Sequence, residues 1–298
     1  MAVTTSTIPT AGLSRQSWTW KGHTICYTRE GSGPPLLLVH GFGASIGHWR
    51  KNIPVLAAAG YRVFALDLLG FGASDKPPVR YSLDLWVELL QDFWAAHIQE
   101  PTIFIGNSIG ALMSLRMVVE HPQSSAGGIL LNCAGGLSHR PKELQWGPRM
   151  IMTAFNRLVT SRITGPLLFH QIRQKHRIRA TLQQVYRNPD AITDELVEIL
   201  YQPACTPGAQ QAFASIITAP PGKPPELLLP DLQRPLLVLW GEADPWTPVT
   251  RGQTFASHVP PEADFQFIPI PDTGHCPHDE RPEVVNPLIL NWLQKLNG

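Results

Sequence analysis

The sequence predicts an α/β fold: a mostly parallel sheet flanked by helices on both faces, with an inserted helical cap. Two observations carry this prediction. Short, wholly apolar runs alternate with segments whose apolar residues recur at helical spacing, and one long interior stretch breaks the alternation. With 298 residues, 43% of them hydrophobic, the chain can bury a large core.

Residues 18–20 and 24–27 flank Lys21-Gly22 and read as an antiparallel hairpin. Residues 36–39 (Leu-Leu-Leu-Val) are apolar throughout, as a strand buried on both faces should be. Residues 62–66, 102–105, 128–131 and 236–239 repeat that character, and 265–268 add a last strand. Between them lie helices. Ser82 is placed to cap one whose face carries Leu85, Trp86, Leu89, Leu90 and Phe93. A second covers 109–119 and ends near His121-Pro122, and a third covers 284–296 with Leu288, Trp292 and Leu296 in one stripe.

Residues 135–229 hold helical patterns but no convincing strand, and exit through the proline-rich run 219–225. The expected organisation is a core in two parts, residues 1–134 and 230–298, with a helical cap at 135–229. The cap is also where substrate-binding residues are expected.

The net charge of +1 argues against a nucleic-acid partner. The average conceals an asymmetry. Residues 136–190 contain ten Lys/Arg and two Asp/Glu, leaving 14 basic and 21 acidic residues for the rest. No run of about 18 apolar residues predicts a membrane span. The polar opening of the chain lacks a basic region followed by an apolar one, so a secreted protein is not expected. Cys26, Cys133, Cys205 and Cys276 lie far apart without metal-ligand spacing, which fits reduced thiols in the cytoplasm and no metal site.

Gly106-Asn107-Ser108-Ile109-Gly110 matches G-x-S-x-G in the setting that motif requires, a strand before and a helix after. The turn lifts Ser108 as a nucleophile, and glycines remove side chains where backbones crowd. His40-Gly41-Phe42-Gly43 follows the strand at 36–39. Acyl transfer needs two N–H donors aimed at the developing oxyanion, and the backbone amides of Ile109 and Phe42 are placed to supply them.

A serine hydroxyl needs a base. Among eleven histidines, His275 in Pro271-Asp272-Thr273-Gly274-His275 fits the chain order serine, acid, histidine. His278 is its rival, while His40 reads as structural. Asp244, in the loop after the strand at 236–239, is the expected acid, with Glu242 as the alternative. Asp272 is too near His275 in sequence, and Cys276 reads as a packing residue. Asp67 and Ser74 are expected to fix the loop 67–75 by hydrogen bonds.

With these elements in order, the chain resembles the α/β-hydrolase superfamily over nearly its whole length. Residues 40–54 (HGFGASIGHWRKNIP), 65–77 (ALDLLGFGASDKP) and 240–248 (WGEADPWTP) look like the branch holding pheophytinase and chlorophyll dephytylase of oxygenic phototrophs, cyanobacterial relatives included. Haloalkane dehalogenases and epoxide hydrolases share the outline but carry aspartate at the elbow, against which Ser108 speaks. The resemblance implies a serine carboxylic-ester hydrolase with an α/β-hydrolase fold, no cofactor, and a chlorophyll or pheophytin phytyl ester as substrate. It also implies a catabolic role at a membrane such as the thylakoid. The basic, apolar cap suits peripheral contact with anionic lipid. A general carboxylesterase or lipase-like enzyme, a C–C bond hydrolase and a slow-turnover ligand receptor remain as alternatives on this fold.

Overall fold

The computed structural model describes residues 12–137 and 146–297. Residues 1–11 and residues 138–145, the latter at the head of the expected cap, lie outside them. Eight strands form one sheet: β1 (Gln16–Trp20), β2 (His23–Glu30), β3 (Pro35–Val39), β4 (Arg62–Leu66), β5 (Thr102–Asn107), β6 (Ser125–Leu131), β7 (Leu236–Gly241) and β8 (Phe265–Ile270). Their spatial order is β1-β2-β4-β3-β5-β6-β7-β8. Only β1–β2 and β2–β4 pair antiparallel; every other pair is parallel.

The alternating side chains of the strands feed two cores. Leu36 and Leu38 pack on one face with Ile103, Ile105 and Leu237. Leu37 and Val39 pack on the other with Phe64, Phe104 and Val238. Helices α1 (Ile53–Ala58) and α11 (Pro282–Asn297) cover the first face, contributing Leu56, Ile289 and Trp292. Helices α2 (Leu83–His97) and α3 (Ile109–Glu120) cover the second. As expected, Ser82 caps α2, its side chain accepting the Leu85 N–H at 3.1 Å. Each fully buried leucine or isoleucine contributes roughly 1.5–3 kcal/mol, so the two cores hold the strand ends firmly.

Between β6 and β7 the described residues form helices and no strand. These are α4 (Trp146–Thr160), α5 (Thr164–Ile172), α6 (Lys175–Val185), α7 (Asp194–Ala204) and α8 (Ala209–Ile217). Leu182, Val185, Ile192 and Leu196 form a small core here that includes Cys276 from the far end of the chain. Short helices α9 (Val249–Gln253) and α10 (Pro277–Glu280) follow β7 and β8. No helix among the described residues is long and apolar enough to cross a membrane.

Candidate active site

Parallel strands deliver the expected residues to one edge of the sheet. The 40–43 loop leaves the end of β3, Ser108 the end of β5, Asp244 the end of β7, and His275 the loop after β8. Ser108 has φ +58° and ψ −120°, a conformation L-residues avoid. The surroundings enforce it. A Cβ on Gly106 would lie 2.2 Å from the Gly110 carbonyl oxygen, and one on Gly110 would lie 2.2 Å from that of Val39. Larger residues would push α3 off the sheet and relax the turn.

His275 Nδ1 donates to Asp244 Oδ2 at 2.6 Å, and both residues are buried. Asp244 Oδ2 also accepts from Asn132 Nδ2 at 2.7 Å and from the Thr247 hydroxyl. Its Oδ1 accepts the N–H groups of Trp246 at 2.8 Å and Thr247 at 3.1 Å. Burial pushes the Asp244 carboxyl up, but the bonds from His275 and Thr247 outweigh it and hold the pKa below the ordinary carboxylate value. Asp244 is therefore an anion beside the His275 ring. Ser108 and His275 share one cavity wall, and no direct hydrogen bond joins their side chains among the described residues. Such bonds often tighten only with substrate in place.

Ile109 is the first residue of α3, so its N–H has no carbonyl one turn earlier to bond. The Phe42 amide belongs to the loop beside it. The backbone of that loop closes on the nucleophile: a Cβ on Gly41 would sit 3.2 Å from both Ser108 Cβ and Asn107 Oδ1. Phe42, Ser108, Asn107 and His275 all border a cavity of about 280 Å³. Most of its lining is apolar, including Phe169, Leu182, Val185, Phe213 and Ile216 from the helices between β6 and β7. Phe42 and Trp246 remain 42% and 54% exposed.

The rivals sort by burial. His278 is wholly buried against Trp49, with ring centroids 4.1 Å apart, and burial holds its pKa well below the ordinary value. His40 is also buried; its Nδ1 donates to the Gly41 carbonyl at 2.8 Å and its Nε2 accepts the Leu68 N–H at 3.1 Å. Glu242 is exposed, while Asp244 bonds the histidine. Asp67 accepts from the Ile46 and Ala73 amides, each at 2.7 Å, and Ser74 donates to the Asp67 carbonyl at 2.6 Å. This is the structural loop expected from the sequence. Cys276 is buried.

Several partners carry no motif. Asn107 Nδ2 donates to the His275 carbonyl at 2.9 Å, and the His275 N–H donates to Val185 at 2.8 Å. Glu280 accepts the N–H groups of Gly274, Arg187 and Asn188 at 2.7–2.8 Å, tying the histidine loop to the end of α6. Asn132, at the end of β6, holds Asp244 from below and accepts the Gly241 N–H at 2.9 Å. Its φ of +45° is one that asparagine tolerates better than most residues. No group of His, Cys, Asp and Glu among the described residues is arranged to hold a metal ion.

Known proteins resemble this chain in sequence and fold. The chloroplastic pheophytinase of Arabidopsis thaliana is 29% identical over 97% of this chain and 68% of its own length. The 2-hydroxy-6-oxo-6-(2'-aminophenyl)hexa-2,4-dienoic acid hydrolase of Metapseudomonas resinovorans is 26% identical over 90% of this chain and 87% of its own. Among solved structures, a bacterial membrane phospholipase A superposes with a TM-score of 0.76 at 26% identity, covering 97% of this chain and 88% of that one. A serine hydrolase involved in carbazole degradation superposes at 0.74 with 25% identity, covering 95% and 99%. The alpha/beta hydrolase family model matches residues 36–288, and the chain belongs to that family as a hydrolase of the α/β-hydrolase type.

Proposed function

We propose that the chain is a serine carboxylic-ester hydrolase that releases phytol from a chlorophyll-type pigment. The observation that carries the chemistry is the convergence of a strained Ser108 and a His275–Asp244 pair on one apolar cavity. In this reading Ser108 Oγ attacks the ester carbonyl as His275 Nε2 takes its proton. The amides of Phe42 and Ile109 hold the oxyanion, each donor contributing about 2.7–4 kcal/mol. Collapse expels the alcohol, which takes the proton from His275. Water, deprotonated by the same ring, then attacks the acyl-enzyme and frees the acid and Ser108. Asp244 keeps the ring in the tautomer that accepts at Nε2. No step needs a cofactor.

Two points support the phytyl ester. The cavity offers a branched alkyl chain a lining of Phe, Leu, Val and Ile side chains. The pheophytinase relative matches along nearly the whole chain. In this reading the alcohol chain lies along the apolar lining and the tetrapyrrole ring rests against Phe42 and Trp246, which border the cavity and are partly exposed.

A second reading, C–C bond hydrolysis on the same groups, draws on two cations. Lys76 and Arg173 border the cavity with no acidic residue among its lining, and a dienoic acid would bring them a carboxylate. Chlorophyll a, pheophytin a, p-nitrophenyl esters and a dienoic acid, assayed side by side with product analysis, separate the readings. Chlorophyllide or pheophorbide with phytol is expected. Turnover of short esters alone, or of the dienoic acid alone, would reject the pigment.

A further inference from the structure

We propose that the α4–α5 hairpin is an interfacial anchor that seats the protein on an anionic lipid bilayer. Large apolar side chains are exposed along it. Met150 (57% exposed) and Leu158 (49%) stand with exposed Ala154 on one stripe of α4, at i, i+8 and i+4. Ile163 (79%), in the turn, and Leu167 (66%), four residues on in α5, extend the surface around the tip. The opposite sides of the two helices face inward. Val159 and Phe169 are buried, and Gly165 lets the helices meet closely, since a Cβ there would lie 2.4 Å from the Val159 carbonyl oxygen. The outward apolar stripe is therefore not left over from a loosely packed helix.

Charge selects the occupant. Between Glu143 and Asp190 the chain carries eight Lys/Arg and no acidic residue. Arg157 and Arg162 are exposed beside the stripe and form no ion pair among the described residues. Apolar side chains rimmed by arginines, on a surface helix too short to span, match an interfacial element resting among anionic headgroups. A second copy on the same face would set arginine against arginine across a two-fold axis.

The placement also serves the site. Helix α5 turns Leu167 outward while Phe169 and Ile172 line the cavity. One helix thus separates the lipid-facing surface from the space beside Ser108, so an apolar ester has a short way in. This step deepens the reading of an apolar ester substrate and rests on it; the anchoring surface is tested without any substrate.

Flotation of the full chain with phosphatidylcholine vesicles, with and without phosphatidylglycerol, provides the test. Binding is expected only to the anionic vesicles, and high salt should release it. Ile163→Ser with Leu167→Ser should weaken binding more than tenfold per residue, and Arg157→Gln with Arg162→Gln about fivefold per arginine. All four positions are exposed, and unchanged turnover of a water-soluble p-nitrophenyl ester reports that each variant is folded. Loss of ester turnover in the wild type would fault the hydrolase reading and leave flotation as an independent result. Absence of wild-type binding at low salt, equal binding to neutral vesicles, or binding indifferent to these substitutions would overturn the anchor. So would a concentration-dependent dimer abolished by Ile163→Ser and Leu167→Ser, because the occupant would then be a second copy.

Discussion

Asp244→Asn should abolish most of the activity while leaving the fold in place, for a reason written in its five hydrogen bonds. Oδ1 accepts two backbone N–H groups, from Trp246 and Thr247. An amide NH₂ there would face two donors that cannot rotate, so the asparagine must place its oxygen at that position. Its NH₂ then takes the place of Oδ2, 2.6 Å from His275 Nδ1 and 2.7 Å from Asn132 Nδ2. The Thr247 hydroxyl can turn to accept, but Asn132 cannot donate to a donor. His275 can satisfy the amide only by accepting at Nδ1, which leaves its proton on Nε2, the nitrogen meant to deprotonate Ser108. A wrong tautomer in a Ser-His-Asp site costs kcat about 10⁴-fold, or about 5.5 kcal/mol. The opposed Asn132 donor should lower stability by about 1–3 kcal/mol. Steady-state kinetics on a p-nitrophenyl ester, with thermal unfolding alongside, measure both effects. A folded Asp244→Asn enzyme within tenfold of the wild-type kcat/KM would refute the assigned role.

Other perturbations probe different parts of the site. Gly41→Ala puts a methyl group 3.2 Å from Ser108 Cβ and Asn107 Oδ1; acylation should slow at least tenfold, with a much smaller change in Tm, as stopped-flow and calorimetry would show. His48 is buried, and burial lowers its pKa from 6.5 to about 4. The unfolded chain takes up that proton before the folded one does, so stability is lost as the pH falls from 6.5 to about 4. The loss amounts to about 3 kcal/mol from this residue. His48→Gln, which can still donate to the Tyr186 hydroxyl, should flatten that acid limb in denaturant titrations; an unchanged limb would contradict the assignment. Cys205 is the exposed thiol, whereas burial pushes Cys26 up to about 12 and raises Cys133 and Cys276 further. Iodoacetamide followed by peptide mapping should therefore label Cys205 first.

How much of this was legible in the sequence depends on whether the controlling interaction is local. The buried strands announce themselves because both faces are covered, which makes residues such as those of β3 apolar throughout. The elbow is legible because G-x-S-x-G encodes its own close approaches at Gly106 and Gly110. The supports of the acid and base are not local. Asn132 reaches Asp244 because β6 lies beside β7, and Glu280 reaches Arg187 because α6 ends over the histidine loop. No spacing in the chain encodes either pairing. Helix α1 is not legible in the sequence because six residues with a proline near the start give too short a period to read. In α5, Leu167 and Phe169 are both large and apolar, yet one faces out and the other lines the cavity. Helical geometry sets them on opposite sides, and packing decides which side faces in.

Active-site labelling tests the central claim most directly, because it needs no knowledge of the substrate. A fluorophosphonate reacts covalently with a serine activated by a neighbouring base and held against oxyanion donors. Intact-mass analysis should show one adduct per chain, and peptide mapping should place it on Ser108. Ser108→Ala should take no label, and Asp244→Asn should label far more slowly than wild type. An adduct on another residue, or none on a folded wild-type protein, would contradict the account.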